Sequence, residues 1–247
     1  MQTVATHSPW LGEFLGTFIL ILLGTGVNAS VNLKKTYANG AGWIVITTGW
    51  AIGVLCGVLT AQAFGSSAAH LNPAITFSSC LQSGDFSTLL PFWSAQILGA
   101  MAAATLTWLF FYPHWAVTPE AGDKLGVFCT GPAIPHIPSN LLGEATGTFV
   151  LIVVAAAIGS HGVSATGPAP ALGPWLVACL VWGIGLSLGS TTGYAINPAR
   201  DFGPRLTHFI LPIAGKGPSN WKYAWVPIVG DLTGAAVAAA LLHWAHL

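Results

Sequence analysis

His70-Leu71-Asn72-Pro73-Ala74 and Asn197-Pro198-Ala199-Arg200-Asp201 are the two stretches on which the reading of this chain turns. Asn is a strong helix N-cap and Pro is favoured at the first helical position, so each Asn-Pro-Ala reads as a helix start. The helices that follow are expected to be short, over 73–81 and 198–208. The two triplets lie 125 residues apart. A second pair of landmarks has nearly the same spacing. Gly12-Glu13-Phe14-Leu15-Gly16-Thr17-Phe18 returns as Gly143-Glu144-Ala145-Thr146-Gly147-Thr148-Phe149, 131 residues later. Two landmarks in the same order at nearly equal offsets indicate a duplication. The repeats fall at about 9–112 and 140–246 of a single domain, 1–247.

The material between these landmarks names the solvent. Of 247 residues, 53% are hydrophobic and 6% charged, with a mean hydropathy of +0.70. Soluble domains carry about 25% charged residues. So little charge cannot cover a water-facing surface, and the lipid bilayer is the partner this composition fits. Net charge is zero and no basic run exists, which argues against nucleic acid. A spanning helix needs about 20 apolar residues. Six stretches qualify: 10–31, 42–64, 89–112, 141–161, 174–190 and 223–244. Each half then holds three spans and one interrupted segment. Three is odd, so the second half is inverted relative to the first. The expected fold is an all-α membrane protein of six transmembrane helices plus two re-entrant half-helices, built as an inverted repeat. Interrupted segments at matching positions of inverted halves point to a site at the membrane midplane.

Irregular backbone at that depth is tolerated only where protein buries it or it lines a wet cavity. Two half-helices starting at the midplane aim both N-termini there, each equivalent to roughly half a positive charge. That field repels cations. The amides of Asn72 and Asn197 can donate to a passing oxygen. The extended backbone before each motif, at Ala68, Ala69 and His70 and at Gly193, Tyr194 and Ala195, can offer carbonyl acceptors. A polar ladder along an apolar pore suits uncharged hydroxyl-bearing solutes and not ions, whose hydration shell nothing replaces. Arg200 is always charged. Three residues from a midplane Asn, it is costly unless it faces a wet cavity.

On these motifs, and on the two Gly-Glu-x-x-Gly-Thr-Phe helices, the chain resembles the major intrinsic protein family of aquaporins and glycerol facilitators over its whole length. The resemblance implies passive flux without catalysis, through a homotetramer with one pore per subunit. It implies a plasma-membrane protein with cytoplasmic termini, and an aromatic/arginine constriction formed by Trp50, Gly185, Tyr194 and Arg200. Gly185 leaves room where water-selective relatives usually carry His, which favours glycerol and water over water alone. Asp201 after Arg200 is also typical of the glycerol branch. Tyr194 departs from the Phe usual there, so other small polyols and neutral weak acids such as lactic acid enter the expected range. A water-selective channel, a secondary transporter and an occluded junction protein are the alternatives. A transporter would need a coupling-ion site. Asp201 is the one acid beside an Asn-Pro-Ala, and it is expected to be compensated by Arg200.

The remaining residues carry smaller expectations. Glu13 and Glu144 are read as acceptors for the backbone N–H groups of the re-entrant loops, a role their counterparts play in the family. His70 lines a pore mouth or packs a loop. Asp231 lies near an interface or is paired. Trp10, Trp43, Trp115, Trp175, Trp221 and Trp225 fit interfacial belts. Gly99, Ala100, Ala103, Gly230 and Gly234 allow close helix packing. Cys56, Cys80, Cys129 and Cys179 form no CxxC pair and are read as small buried residues, with Cys129 in a loop. His161, His208, His243 and His246 lack metal-ligand spacing, and no Ser/His or paired-Asp arrangement suggests an enzyme. No metal or cofactor is expected. His7, His114 and His136 are the candidate pH-sensitive loop residues. Met1 to Pro9 lacks the charged start of a signal peptide. All seven basic residues fall on the outer side or in the pore by the family topology, against the positive-inside rule.

Overall fold

The computed structural model describes residues 8–169 and 171–247. His7 and most of the uncharged N-terminal stretch lie outside the described residues. Helix α1 (Pro9–Asn32) opens on Ser8, whose hydroxyl accepts from the Leu11 N–H. There follow α2 (Trp43–Ala63), the half-helix α3 (Pro73–Ser83), α4 (Leu89–Phe110), α5 (Tyr112–Val117), α6 (Ala121–Phe128) and α7 (Ile137–Gly159). The chain closes with α8 (Leu172–Ser187), a 3₁₀ turn at Gly189–Thr191, the second half-helix α9 (Pro198–Ile210) and α10 (Trp225–Trp244).

Among the described residues five helices, α1, α2, α4, α7 and α10, are long and apolar enough to cross a bilayer. The sixth span is built differently from the expectation. Helix α8 has 16 residues, about 24 Å at 1.5 Å per residue. The 3₁₀ turn adds about 6 Å at its tighter rise, which together match the roughly 30 Å hydrocarbon core. Both half-helices begin at the Pro after the capping Asn, as the motif dictates. Helix α7 starts at Ile137 rather than 141, because the His136 ring accepts from the Ser139 N–H and Pro138 fills the first turn. Helices α5 and α6 lie in the connection between α4 and α7; at six and eight residues they are too short to show a helical period in the sequence.

Small residues set how closely the spans approach. A Cβ on Gly99 of α4 would strike the Phe14 carbonyl of α1, and one on Gly234 of α10 would strike the Ala145 carbonyl of α7. Phe14 and Ala145 are equivalent positions of the two repeated motifs, so the two halves pack alike. Tight backbone approach replaces the hydrophobic drive that lipid does not supply.

The belt expectation fails for Trp115. It is buried and stacked on Phe128 at 5.6 Å, with its N–H donated to the Trp108 carbonyl. The α4–α6 connection folds back over it and takes it out of the interface. Cys80 and Cys129 are buried as expected, whereas Cys56 is half-buried and Cys179 exposed on the outer face of α8.

Candidate functional site: a two-chambered pore

The site forms where the two half-helices meet head to head. Each Asn divides its amide between two tasks. Asn72 Oδ1 accepts from the Ala74 N–H, and Asn197 Oδ1 from the Ala199 and Arg200 N–H groups, so each caps its own helix. Asn72 Nδ2 donates to the Ile196 carbonyl at 2.7 Å and Asn197 Nδ2 donates to the Leu71 carbonyl at 2.8 Å. Each Asn thus ties its helix to the opposite loop. An amide has two N–H donors. The second of each is left over, and both side chains line the central cavity.

The loops leading into the motifs are strained in matching places. Ala69 and Leu71 have φ of 44° and 52°; Tyr194 and Ile196 have φ of 38° and 43°. Non-glycine residues in this left-handed region cost about 1–3 kcal/mol each and persist only when the surroundings over-determine them. Two buried glutamates do that. Glu13 accepts from the His70 N–H at 2.8 Å and the Leu71 N–H at 2.7 Å, and also from the Ser66 hydroxyl and Gln96 Nε2. Glu144 accepts from the Ala195 N–H at 3.1 Å and the Ile196 N–H at 3.0 Å. With their donors so engaged, the loops present their other polar groups inward. Among the described residues the carbonyls of Ala68, Ala69, His70, Gly193, Tyr194 and Ala195 accept no hydrogen bond.

Two chambers meet at the loops. The central one, of about 80 Å³, is bordered by Ala69, His70, Asn72, Tyr194, Ala195 and Asn197 among others. At about 10–15 Å³ per water it holds a short file of molecules. The second one, of about 240 Å³, is bordered by Asn28, Trp43, Thr130 and Gly193. Trp50, Tyr194 and Arg200 border both. They mark the neck between the chambers. His70 lines the central chamber and is turned by a contact of its Nδ1 with the Thr76 hydroxyl. Ala68 is exposed and borders neither chamber.

At the neck, the Arg200 guanidinium lies 4.0 Å from the centre of the Trp50 ring, a cation–π distance. Trp50 is held in turn by its N–H, donated to Asn28 Oδ1 at 3.0 Å. Arg200 gives a single long bond to the Phe128 carbonyl, at 3.4 Å. A guanidinium has five N–H donors, so most of its capacity faces the chambers. Gly185 borders neither chamber. A Cβ there would lie 2.9 Å from Tyr194 Cζ, so its role is to let the Tyr194 ring lie flat against α8. Trp43 closes the same ring edge-on at 5.7 Å and donates to the Gly185 carbonyl at 2.9 Å.

The expected Arg200–Asp201 compensation is not what forms. Asp201 accepts from Arg205 Nη2 at 2.8 Å and Nε at 2.9 Å, and from the Thr130 N–H and hydroxyl. Helix geometry decides it: residues four apart share a face, adjacent ones do not. Arg205 neutralises the acid, and Arg200 stays free for the pore. Asn28, Trp43, Gln96 and Arg205 are the site residues sequence reasoning missed. The i,i+4 spacing of Asp201 and Arg205 was a usable signal, as were amide side chains inside apolar spans.

Half-helices meeting at their N-termini, strained loops with free carbonyls, and a narrow neck with one unneutralised Arg define a membrane channel. The family model for the major intrinsic protein matches residues 1–243. The chain belongs to that family and is a channel, not an enzyme. It is 49% identical over 238 residues to a probable glycerol uptake facilitator protein of Thermotoga maritima, covering 96% of this chain and 99% of the relative. It is 51% identical over 228 residues to the glycerol uptake facilitator protein of Streptococcus pneumoniae strain R6, covering 92% and 94%. A D/L-lactic acid transporter of Lactiplantibacillus plantarum is 35% identical over 94% of this chain and 95% of its own. The crystallographic aquaglyceroporin of Plasmodium falciparum superposes with a TM-score of 0.82 at 25% identity, over 95% and 94% of the two chains.

Proposed function

We propose that this channel conducts glycerol and water passively across the plasma membrane, with Trp50, Tyr194 and Arg200 as its selectivity filter and Gly185 as the position that seats Tyr194. The observation that carries the reading is that these three side chains alone among the neck residues face both chambers. Their chemistry fits a small polyol. Trp50 and Tyr194 supply an apolar wall for carbon, and Arg200 supplies donors for hydroxyls. The free carbonyls of the two loops and the spare N–H of Asn72 and Asn197 continue the polar track inward. A cation meets the Arg200 charge and two helix N-termini. Small neutral acids are secondary solutes on the same track, as the lactic acid relative suggests.

Secondary transport is the weaker reading. Glu13, Glu144, Asp201 and Asp231 border neither chamber. Glu13 and Glu144 are engaged by loop N–H groups and Asp201 by Arg205, which leaves no carboxylate along the track for a coupling ion. The proposed assembly is a homotetramer with cytoplasmic termini. By strand of the chain, the 33–42, 111–136 and 211–224 connections share one face, which carries all the loop lysines and is assigned to the outside. Several of those lysines are engaged structurally: Lys216 donates to the carbonyls of His208, Phe209 and Leu211 at the end of α9, and Lys124 to that of Ala214.

Labelled-glycerol uptake into proteoliposomes tests the reading. Influx that rises linearly with concentration and ignores imposed proton or sodium gradients is expected. Saturating, gradient-driven uptake would replace the channel with a transporter.

A further inference from the structure

The two halves hold their loop glutamates differently. In the first half, Gln96 of α4 donates its amide to Glu13 at 2.8 Å. Its counterpart in the second half is found by the shared packing landmarks. Gln96 precedes Gly99 by three residues and Asp231 precedes Gly234 by three, and those two glycines meet equivalent carbonyls of α1 and α7. Asp231 therefore stands where Gln96 stands, and it faces the side of α7 that carries Glu144, because its Oδ1 accepts from Thr148, four residues on from Glu144 along the same helix face. Helix α10 is pressed close there: a Cβ on the adjacent Gly230 would lie 2.8 Å from Glu144 Cβ.

Both carboxyls are fully buried. Glu144 accepts two backbone N–H groups and so takes the acceptor role. Asp231 Oδ1 accepts from the Thr148 hydroxyl at 3.2 Å, while Oδ2 has no donor partner. Among the described residues no cation lies within ion-pair distance of either carboxyl. The other titratable groups near the pair are Asp201 of α9, already matched by Arg205, Tyr223 just before α10, and Arg200, whose charge favours Glu144 as the ionised member. Two carboxylates in contact, away from water, cannot both be ionised.

We propose that Asp231 is a positioning residue that carries a proton at neutral pH and donates it to Glu144, doing with a carboxylic acid what Gln96 does with an amide. The shared proton holds Glu144 on the Ala195 and Ile196 N–H groups and so fixes the second loop. The claim is independent of which solute the pore passes.

Infrared difference spectroscopy of the reconstituted channel tests it. The wild type is expected to show a protonated-carboxyl C=O stretch at neutral pH, and Asp231→Asn to lack that band while keeping glycerol flux within about twofold, because Asn restores the neutral donor. Asp231→Leu, which removes the donor and keeps the volume, is expected to lose flux. A wild-type spectrum without a protonated-carboxyl band overturns the proposal whether or not the variants fold. So does a band that survives unchanged in Asp231→Asn.

Discussion

The two halves of this molecule share a backbone plan but not a distribution of charge. Half-helix α3 carries no ionisable side chain except Cys80, whereas α9 carries Arg200, Asp201, Arg205 and His208. Glu13 is surrounded by four donors; Glu144 has two backbone donors and an acid beside it. One fold thus carries an almost uncharged half-helix in one copy and a charged one in the other. The difference teaches that duplication fixed the backbone plan, while the charged side chains at the half-helices were placed in one copy.

The largest expected effect separates the two glutamates. Leaving a buried donor unsatisfied costs about 1–3 kcal/mol. Glu13→Ala strands four donors, whereas Glu144→Ala strands two backbone N–H groups and the proposed Asp231 proton, so the first is expected to abolish folded protein and the second to weaken it. Thermal unfolding in detergent, followed by size exclusion, ranks them; equal losses would break the comparison. Next in size is Arg205→Met, which leaves Asp201 buried without its cation. Breaking a buried pair in this way costs about 3–5 kcal/mol. A melting temperature unchanged from wild type would mean that the Thr130 donors suffice.

Smaller effects belong to the neck. Gly185→His must displace the Tyr194 ring, whose Cζ lies 2.9 Å from the added Cβ. Glycerol flux is expected to fall about tenfold, near 1.4 kcal/mol on the barrier, with water less affected; equal loss of both would remove Gly185 from any part in selection. Arg200→Val removes the one cation facing both chambers, and the ratio of urea to glycerol flux should rise several-fold, as osmotic reswelling assays would show. The smallest change is Tyr194→Phe. Its hydroxyl has no hydrogen-bond partner among the described residues, so stability should hold and glycerol flux should shift by less than about threefold, or about 0.6 kcal/mol.

Much of this was legible in the residues. The half-helices could be read because Asn-Pro is a local helix start that needs no tertiary partner. The glutamate–loop contacts could be read from the demand that buried N–H groups be satisfied. What escaped reading was everything set by helix-on-helix registry. Whether Asp201 pairs with Arg200 or Arg205 depends on the face each presents. That Gly185 seats a ring rather than borders the pore depends on how α8 lies against the second loop. Trp115 looked like an interfacial residue because a hydropathy profile shows depth and not direction. For Asp231 the sequence leaves an interfacial acid and a paired one both open, and only the packing of α10 on α7 sets it on the Glu144 side.

The most direct test of the account is stopped-flow light scattering on proteoliposomes, challenged in turn with sucrose and with glycerol. The account predicts fast shrinkage in both and fast reswelling in glycerol, with weak temperature dependence. Fast shrinkage without glycerol reswelling would contradict it, because the neck formed by Trp50, Tyr194 and Arg200 would then pass water alone.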